Sequence, residues 1–86
     1  MEDDVIVHSR VHDRHPEISD EDAVSAWRNA FAIQVREYGS PEFYIAAGAD
    51  KKGRILELAA TELDCESILI YHAMKITAKM REELGF

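Results

Sequence analysis

The chain has 86 residues, 47% of them hydrophobic and 31% charged, with a formal net charge of −7 at pH 7. That composition describes one folded domain, residues 1–86, near the lower size limit for folding alone, where roughly 60–65% of the unfolded surface is buried, and it excludes low-complexity and disordered classes. No apolar run approaches the ~18 residues of a membrane-spanning helix, and the acidic start MEDDVIV is the reverse of a basic secretory leader, so a cytoplasmic protein with no membrane partner is expected.

In chain order, VIV (5–7) is too short to classify. HSRVHDRH (8–15) fits a strand continuation or one to two helical turns; Val7 and Val11, four apart, with Pro16 to close the element, favour the helix. SDEDAVSAWRNAF (19–31) predicts a helix, with Ser19 as N-cap, acids in the first turn where the helix dipole favours them, and Asp22 in the capping-box position. The period then changes. IQVREY (33–38), EFYIAAG (42–48), RILELAAT (54–61) and SILIYHAM (67–74) predict strands, joined by turns at GSP (39–41), ADKKG (49–53) and ELDCE (62–66). ITAKMREELG (76–85) predicts a closing helix, with Ile76, Met80 and Leu84 on one face and Gly85 as its stop. The expected architecture is α+β: an antiparallel meander of about four strands, an N-terminal and a C-terminal helix covering one sheet face, and the other face free.

Charge is unevenly spread. Residues 1–22 hold eight acids against two arginines, whereas residues 23–61 hold five bases against four acids. An acidic field repels nucleic-acid phosphates at long range, but a local basic cluster still acts within the ~8–10 Å screening length. The single cysteine, Cys65, has no partner for an internal disulfide and belongs to no thiolate cluster for zinc, which fits a reducing compartment and a small hydrophobe's role.

Three constellations carry chemistry. On a helix His8, His12 and His15 share one face, a spacing at which imidazoles hold zinc; they also suit a surface cluster of titrating side chains facing a partner or RNA, and the plainest reading is solvated or half-buried polar filling. Lys51, Lys52 and Arg54 around Gly53 form a basic hairpin tip that suits phosphate contact, or merely keeps a turn soluble. In the strand 67–74, Ile68, Ile70 and His72 share one face and Leu69, Tyr71 and Ala73 the other, with Lys75 and Lys79 following on the helix. A histidine and two lysines at such a corner suit acid–base catalysis and charge stabilisation at a phosphate, with no metal or other cofactor required; the plainer reading is a satisfied, half-buried histidine at a strand end and lysines that merely solvate a helix. RNA is cut by its own 2′-hydroxyl once that group is activated and aligned. Tyr71 and Tyr44 are suited to stacking on bases, or to packing with their hydroxyls at the rim.

The order of these pieces resembles the BrnT-type toxins, ribonuclease toxins of the RelE-like superfamily. DRHPEISDEDAVSAW looks like the family's Lys-His-Gly, hydrophobic, Ser or Thr, acid-pair and Ala run. AAGADKKGRILELAAT is similar to its Gly-x-x-x-x-Gly-Arg hairpin and apolar strand, and ILIYHAMKITAKMREEL looks like its Ile-Ile-Ser-Ala-Arg-Lys-Ala-Thr strand entering the last helix. By position, His15 matches the family histidine, Gly53 and Arg54 the hairpin, and Ala73, Lys75 and Thr77 the final motif. The chain departs from the pattern at Met74, where the family usually has arginine, at Met80, where it commonly has glutamate, and in its acidic charge. Lysine replaces a guanidinium's bidentate phosphate contact poorly.

The resemblance implies a metal-independent endoribonuclease toxin. Its catalytic candidates are His72, Lys75, Arg54 and His15, its RNA-binding candidates Lys51, Lys52, Lys79 and Tyr71, and its partners a cognate antitoxin protein and an RNA substrate, with self-association into a homodimer open to it. The alternative is a toxin-like interaction module that binds a small partner protein without cutting RNA, which the negative charge favours.

Overall fold

The computed structural model describes residues 4–36, 43–64 and 66–86. Along it run β1 (Asp4–Val7), α1 (Ser9–Arg14), α2 (Asp20–Arg28), β2 (Ala30–Arg36), β3 (Phe43–Ala49), β4 (Ile55–Asp64), β5 (Ser67–Lys75) and α3 (Ala78–Leu84), an α+β fold. The GSP turn and Cys65 lie outside the described residues.

Each helix begins where a side chain satisfies its free amides. Ser19 Oγ accepts from the Asp22 amide at 3.0 Å and Asp22 Oδ2 accepts from the Ser19 amide at 3.1 Å, the reciprocal capping box expected for α2. The HSRVHDRH stretch takes its helical form: His8 Nδ1 accepts from the Arg10 amide at 3.0 Å, and α1 stops at Arg14, before the residue that precedes Pro16. Thr77 caps α3, and Gly85, at φ 86°, ends it in the left-handed conformation that glycine adopts without strain.

The sheet differs from a four-stranded antiparallel meander. Among the described residues it has five strands in the order β1-β5-β4-β3-β2 and is mixed: β2 to β5 pair antiparallel in succession, and β1 adds to β5 in parallel, with Val5 opposite Ile68 and Val7 opposite Ile70. A parallel partner requires a long crossover, and everything from α1 to β4 supplies it, so three residues VIV gave no local sign of the pairing. The second helix is also shorter than its sequence pattern, ending at Arg28 with Phe31 already in β2. Gly48 explains how closely α2 then lies on β3, since a Cβ there would sit 1.9 Å from the Ala26 carbonyl oxygen.

Helices cover both faces of the sheet, so the expectation of one open face is corrected. On one side Val11, Ile18, Ala23 and Ala26 pack on Ala46, Leu56, Leu58, Ala60, Ile68, Ile70 and Ala73. On the other, Leu84, with Ile76 and Met80, packs on Ile45, Ala47 and Ile55. A buried Leu or Ile in such a layer contributes ~1.5–3 kcal/mol relative to exposure. The short α3 covers the second face only in part, and the uncovered part is a cleft.

Candidate functional site

The cleft has a volume of about 550 Å³ between α3 and the sheet. Phe43, Ile45, Ala59 and Met80 give it an apolar wall; Tyr71, His72, Thr77 and Glu57 line its polar end, and Arg10, Arg36, Lys79 and Glu83 complete it.

A bulge in β5 makes this grouping. Ala59 is opposite His72, but the next residue of β4, Ala60, is opposite Ile70, which leaves Tyr71 as the extra residue. Strict alternation would place His72 with Ile68 and Ile70. Instead Ile68, Ile70 and Ala73 all enter the helix-covered core, while Tyr71 and His72 side by side line the cleft. The face assignment from sequence is therefore corrected for His72 and for Ala73.

His72 is held by a carboxylate that the sequence reading did not single out. Glu57 is 5% exposed, and its Oε2 lies 3.0 Å from His72 Nε2. Its Oε1 accepts from the Thr77 amide at 2.9 Å and from Thr77 Oγ1 at 2.8 Å. Burial alone would raise the Glu57 pKa; the hydrogen bonds from Thr77 and His72 outweigh it, and the group sits below its ordinary 4.5. An ionised carboxylate only accepts, so His72 Nε2 carries a proton and, in the neutral ring, Nδ1 carries the lone pair. The same threonine caps α3, which fixes the histidine, the carboxylate and the helix start as one unit. Tyr71 keeps its phenolic proton more firmly than usual, because burial raises its pKa while the Arg10 charge opposes the rise.

His15, from the turn after α1, reaches the same corner. Its ring meets that of His72 edge-on, with centroids 6.3 Å apart, and its Nδ1 is 3.7 Å from Glu17 Oε2. Lys79 lines the cleft from the first turn of α3. Neither Lys79 nor Arg10 forms an ion pair with another described residue.

The remaining candidates go elsewhere. Arg54 is bound internally: Nε donates to Asp50 Oδ2 at 2.7 Å, one terminal nitrogen to Asp22 Oδ2 at 3.0 Å and the other to the Glu17 carbonyl at 3.2 Å. Its pKa is raised, by the Asp50 hydrogen bond above all, against a smaller opposing effect of burial. Asp50 also accepts from the Lys52 and Arg54 amides, closing the hairpin turn. Lys51 pairs with Glu21, and Lys52 lies 3.6 Å from Asp22. The hairpin tip is thus a clasp onto α2 and not an open phosphate contact. Lys75 is the last residue of β5, opposite Leu56 and exposed, and does not line the cleft. The expectation that Arg54, Lys75 and His72 form one cluster is corrected on both cationic members. The histidine trio also separates: His8 caps α1, the His12 ring lies 3.4 Å from the Ile18 carbonyl, and His15 turns to His72; among the described residues no group of three or more His, Cys, Asp or Glu side chains is placed to hold a metal ion.

Glu57 had a sequence signal: a lone carboxylate inside the apolar run ILELAA must either face solvent or find donors, and here it finds three. Arg10 had none, since only the fold carries α1 to the rim. Compared with known proteins, the chain matches no protein-family profile, no curated protein and no solved structure. No helix among the described residues is long and apolar enough to cross a membrane.

Proposed function

We propose that this protein is a metal-independent endoribonuclease, the toxin of a toxin–antitoxin pair with a RelE-like fold, and that the cleft holding His72 is its working site. The observation that carries the reading is the buried, ionised Glu57 bound to Thr77 and to His72 Nε2, in a cleft that also holds Arg10 and Lys79. The three sequence segments that resemble BrnT-type toxins support it.

In this reading the RNA strand lies across the cleft, a base against Tyr71 and the apolar wall, with the scissile phosphate between His72, Arg10 and Lys79. His72 Nδ1 takes the proton of the 2′-hydroxyl, and the 2′-oxygen attacks phosphorus. The bond to the 5′-oxygen breaks, the leaving oxygen takes up a proton from His15 or water, and a 2′,3′-cyclic phosphate remains. Glu57 orients the ring and stabilises the imidazolium formed. Arg10 and Lys79 offset the charge that builds on the phosphate oxygens. A cognate antitoxin would keep the cleft closed, and its binding would also stabilise so small a chain.

Purified chain incubated with RNA in the presence of a metal chelator should yield cyclic-phosphate ends, and His72→Ala should yield them far more slowly. An intact RNA, or equal cleavage by the variant, contradicts the proposal. A second reading, a toxin-like module that binds a partner without cutting RNA, is favoured by the net charge of −7 and by the internal pairing of Lys51, Lys52 and Arg54. It is the reading left if the chain binds a partner but cuts nothing.

A further inference from the structure

Resting on the reading of the cleft as the place where RNA is cut, we propose that its end at β2 reads guanine. Glu83 accepts from N1–H and the 2-amino group of the base, and Arg36 donates to O6. The charges of the cleft are divided. Arg10, Lys79 and His72 gather where a phosphate would sit, whereas the β2 end carries an arginine and a glutamate together. Alternation along β2 sends Ala32, Gln34 and Arg36 toward α3, and Arg36 stands opposite Phe43 of β3, which lines the cleft with it. Arg36 Nη2 lies 3.4 Å from Glu83 Oε2, and Gln34 Nε2 donates to the Glu83 carbonyl oxygen at 3.1 Å. Two contacts from one strand thus hold the end of α3 and its carboxylate in place, as a reading site requires. The Arg36 and Glu83 side chains are 24% and 39% exposed, so a ligand in the cleft can reach both.

A paired arginine and glutamate offer a phosphate little net charge, and the carboxylate repels it. The pair does keep hydrogen-bonding capacity: its one contact engages a single oxygen and a single nitrogen, while a carboxylate accepts at roughly four sites and a guanidinium donates through several N–H groups. Such a pair matches a neutral group that shows donors beside an acceptor, which describes the edge of an unpaired base. Among the RNA bases only guanine sets two N–H donors side by side, N1–H and the 2-amino group, for both oxygens of one carboxylate, with O6 next to them for the guanidinium. Adenine and cytosine bring one amino group each, and uracil a single ring N–H. Between the two ends, Phe43, Ile45, Ala59 and Met80 give an apolar wall for the flat face of the base. Lys79 and Glu83 are four residues apart on α3, about 6 Å along its axis, so phosphate and base contacts project from one side of one helix. A cleft of about 550 Å³ is also in the range of sites that hold one small ligand.

Calorimetry of the full chain with the 3′-monophosphates of guanosine, inosine, adenosine and uridine separates the base from the phosphate. All four share the phosphate, and inosine differs from guanosine only in lacking the 2-amino group. Guanosine 3′-monophosphate should bind about tenfold or more tightly than each of the others, the usual effect of a hydrogen bond to a charged group. Glu83→Gln should remove the preference over inosine, because an amide offers one acceptor oxygen where the carboxylate offers two. The wild-type comparison with inosine decides the matter if Glu83→Gln does not fold. RNAs carrying one guanosine or one inosine at the same place should be cut, with chelator present, at rates that show the same preference. Guanosine-selective binding without cleavage supports the base site and removes the ribonuclease reading; cleavage that does not distinguish guanosine from inosine leaves that reading and overturns the base site. Monophosphates that bind alike or not at all, or a preference that survives in Glu83→Gln, overturn it equally.

Discussion

The hairpin tip and the cleft are both charged corners built around buried carboxylates, and they differ in what happens to the cations. At the tip, Asp22 and Asp50 draw in Arg54 and Lys52, and Glu21 takes Lys51, so each base of the tip faces an acid of its own chain. In the cleft, Glu57 is satisfied by Thr77 and His72, and Arg10 and Lys79 are left facing solvent. The first corner holds α2 to the β3–β4 hairpin; the second has charge available for a ligand. A basic cluster in a sequence therefore says little about binding until the acids it meets in space are known.

Removing the imidazole should have the largest effect on chemistry. His72→Ala should lower RNA cleavage ~10²–10⁴-fold, the usual contribution of a positioned acid or base, read as the initial rate per folded molecule. If that loss is absent, the cleft is not the reacting site. Arg54→Ala should do the opposite: a lower melting temperature, because Asp22 and Asp50 stay buried without their cation, with the rate per folded molecule much closer to wild type. A rate loss as deep as that of His72→Ala would erase the distinction between the corners.

Acid should act on both corners through their carboxylates. Glu57 and Asp22 each have a folded pKa below the ordinary value, 4.5 and 3.8 respectively; for both, burial pushes upward and hydrogen bonds, to Thr77 and His72 or to Ser19, overcome it. The folded chain then binds fewer protons than the unfolded one, so these groups stabilise it above their ordinary values and the gain disappears as pH falls through the folded values. Chemical unfolding should show stability falling from about pH 4.5 downward, with a shallower fall for Glu57→Gln. An unchanged acid limb in that variant would mean that Glu57 is not held ionised as described. The smallest effect is expected at the exposed pair: Lys51→Ala should change stability by less than about 1 kcal/mol and leave cleavage unaltered.

The parts of this structure written in local sequence were legible. Ser19 with Asp22 announces the start of α2, Gly85 the end of α3, and period-two runs place most of the four antiparallel strands, because caps and alternation act over a few residues. The parallel pairing of β1, the bulge at Tyr71 and the clasp between residues 17–22 and 50–54 depend on contacts between distant segments, for which no local pattern exists. The clasp did leave a trace, in the excess of acid over residues 1–22 and of base at the tip. His72 could be named as a site candidate from its place near a strand end, and Glu57 left a trace as a carboxylate in an apolar run, but their pairing, the arrival of Arg10 in the same cleft and the face His72 lies on could not be read from the sequence.

The most direct test compares cleavage of one RNA, with chelator present, by Arg10→Ala/Lys79→Ala and by Lys51→Ala/Lys52→Ala. If the cleft is where RNA is cut, the first pair should slow cleavage steeply and the second should run at nearly the wild-type rate. Equal loss in both, or a greater loss from the hairpin pair, would contradict the assignment of the working site to the cleft.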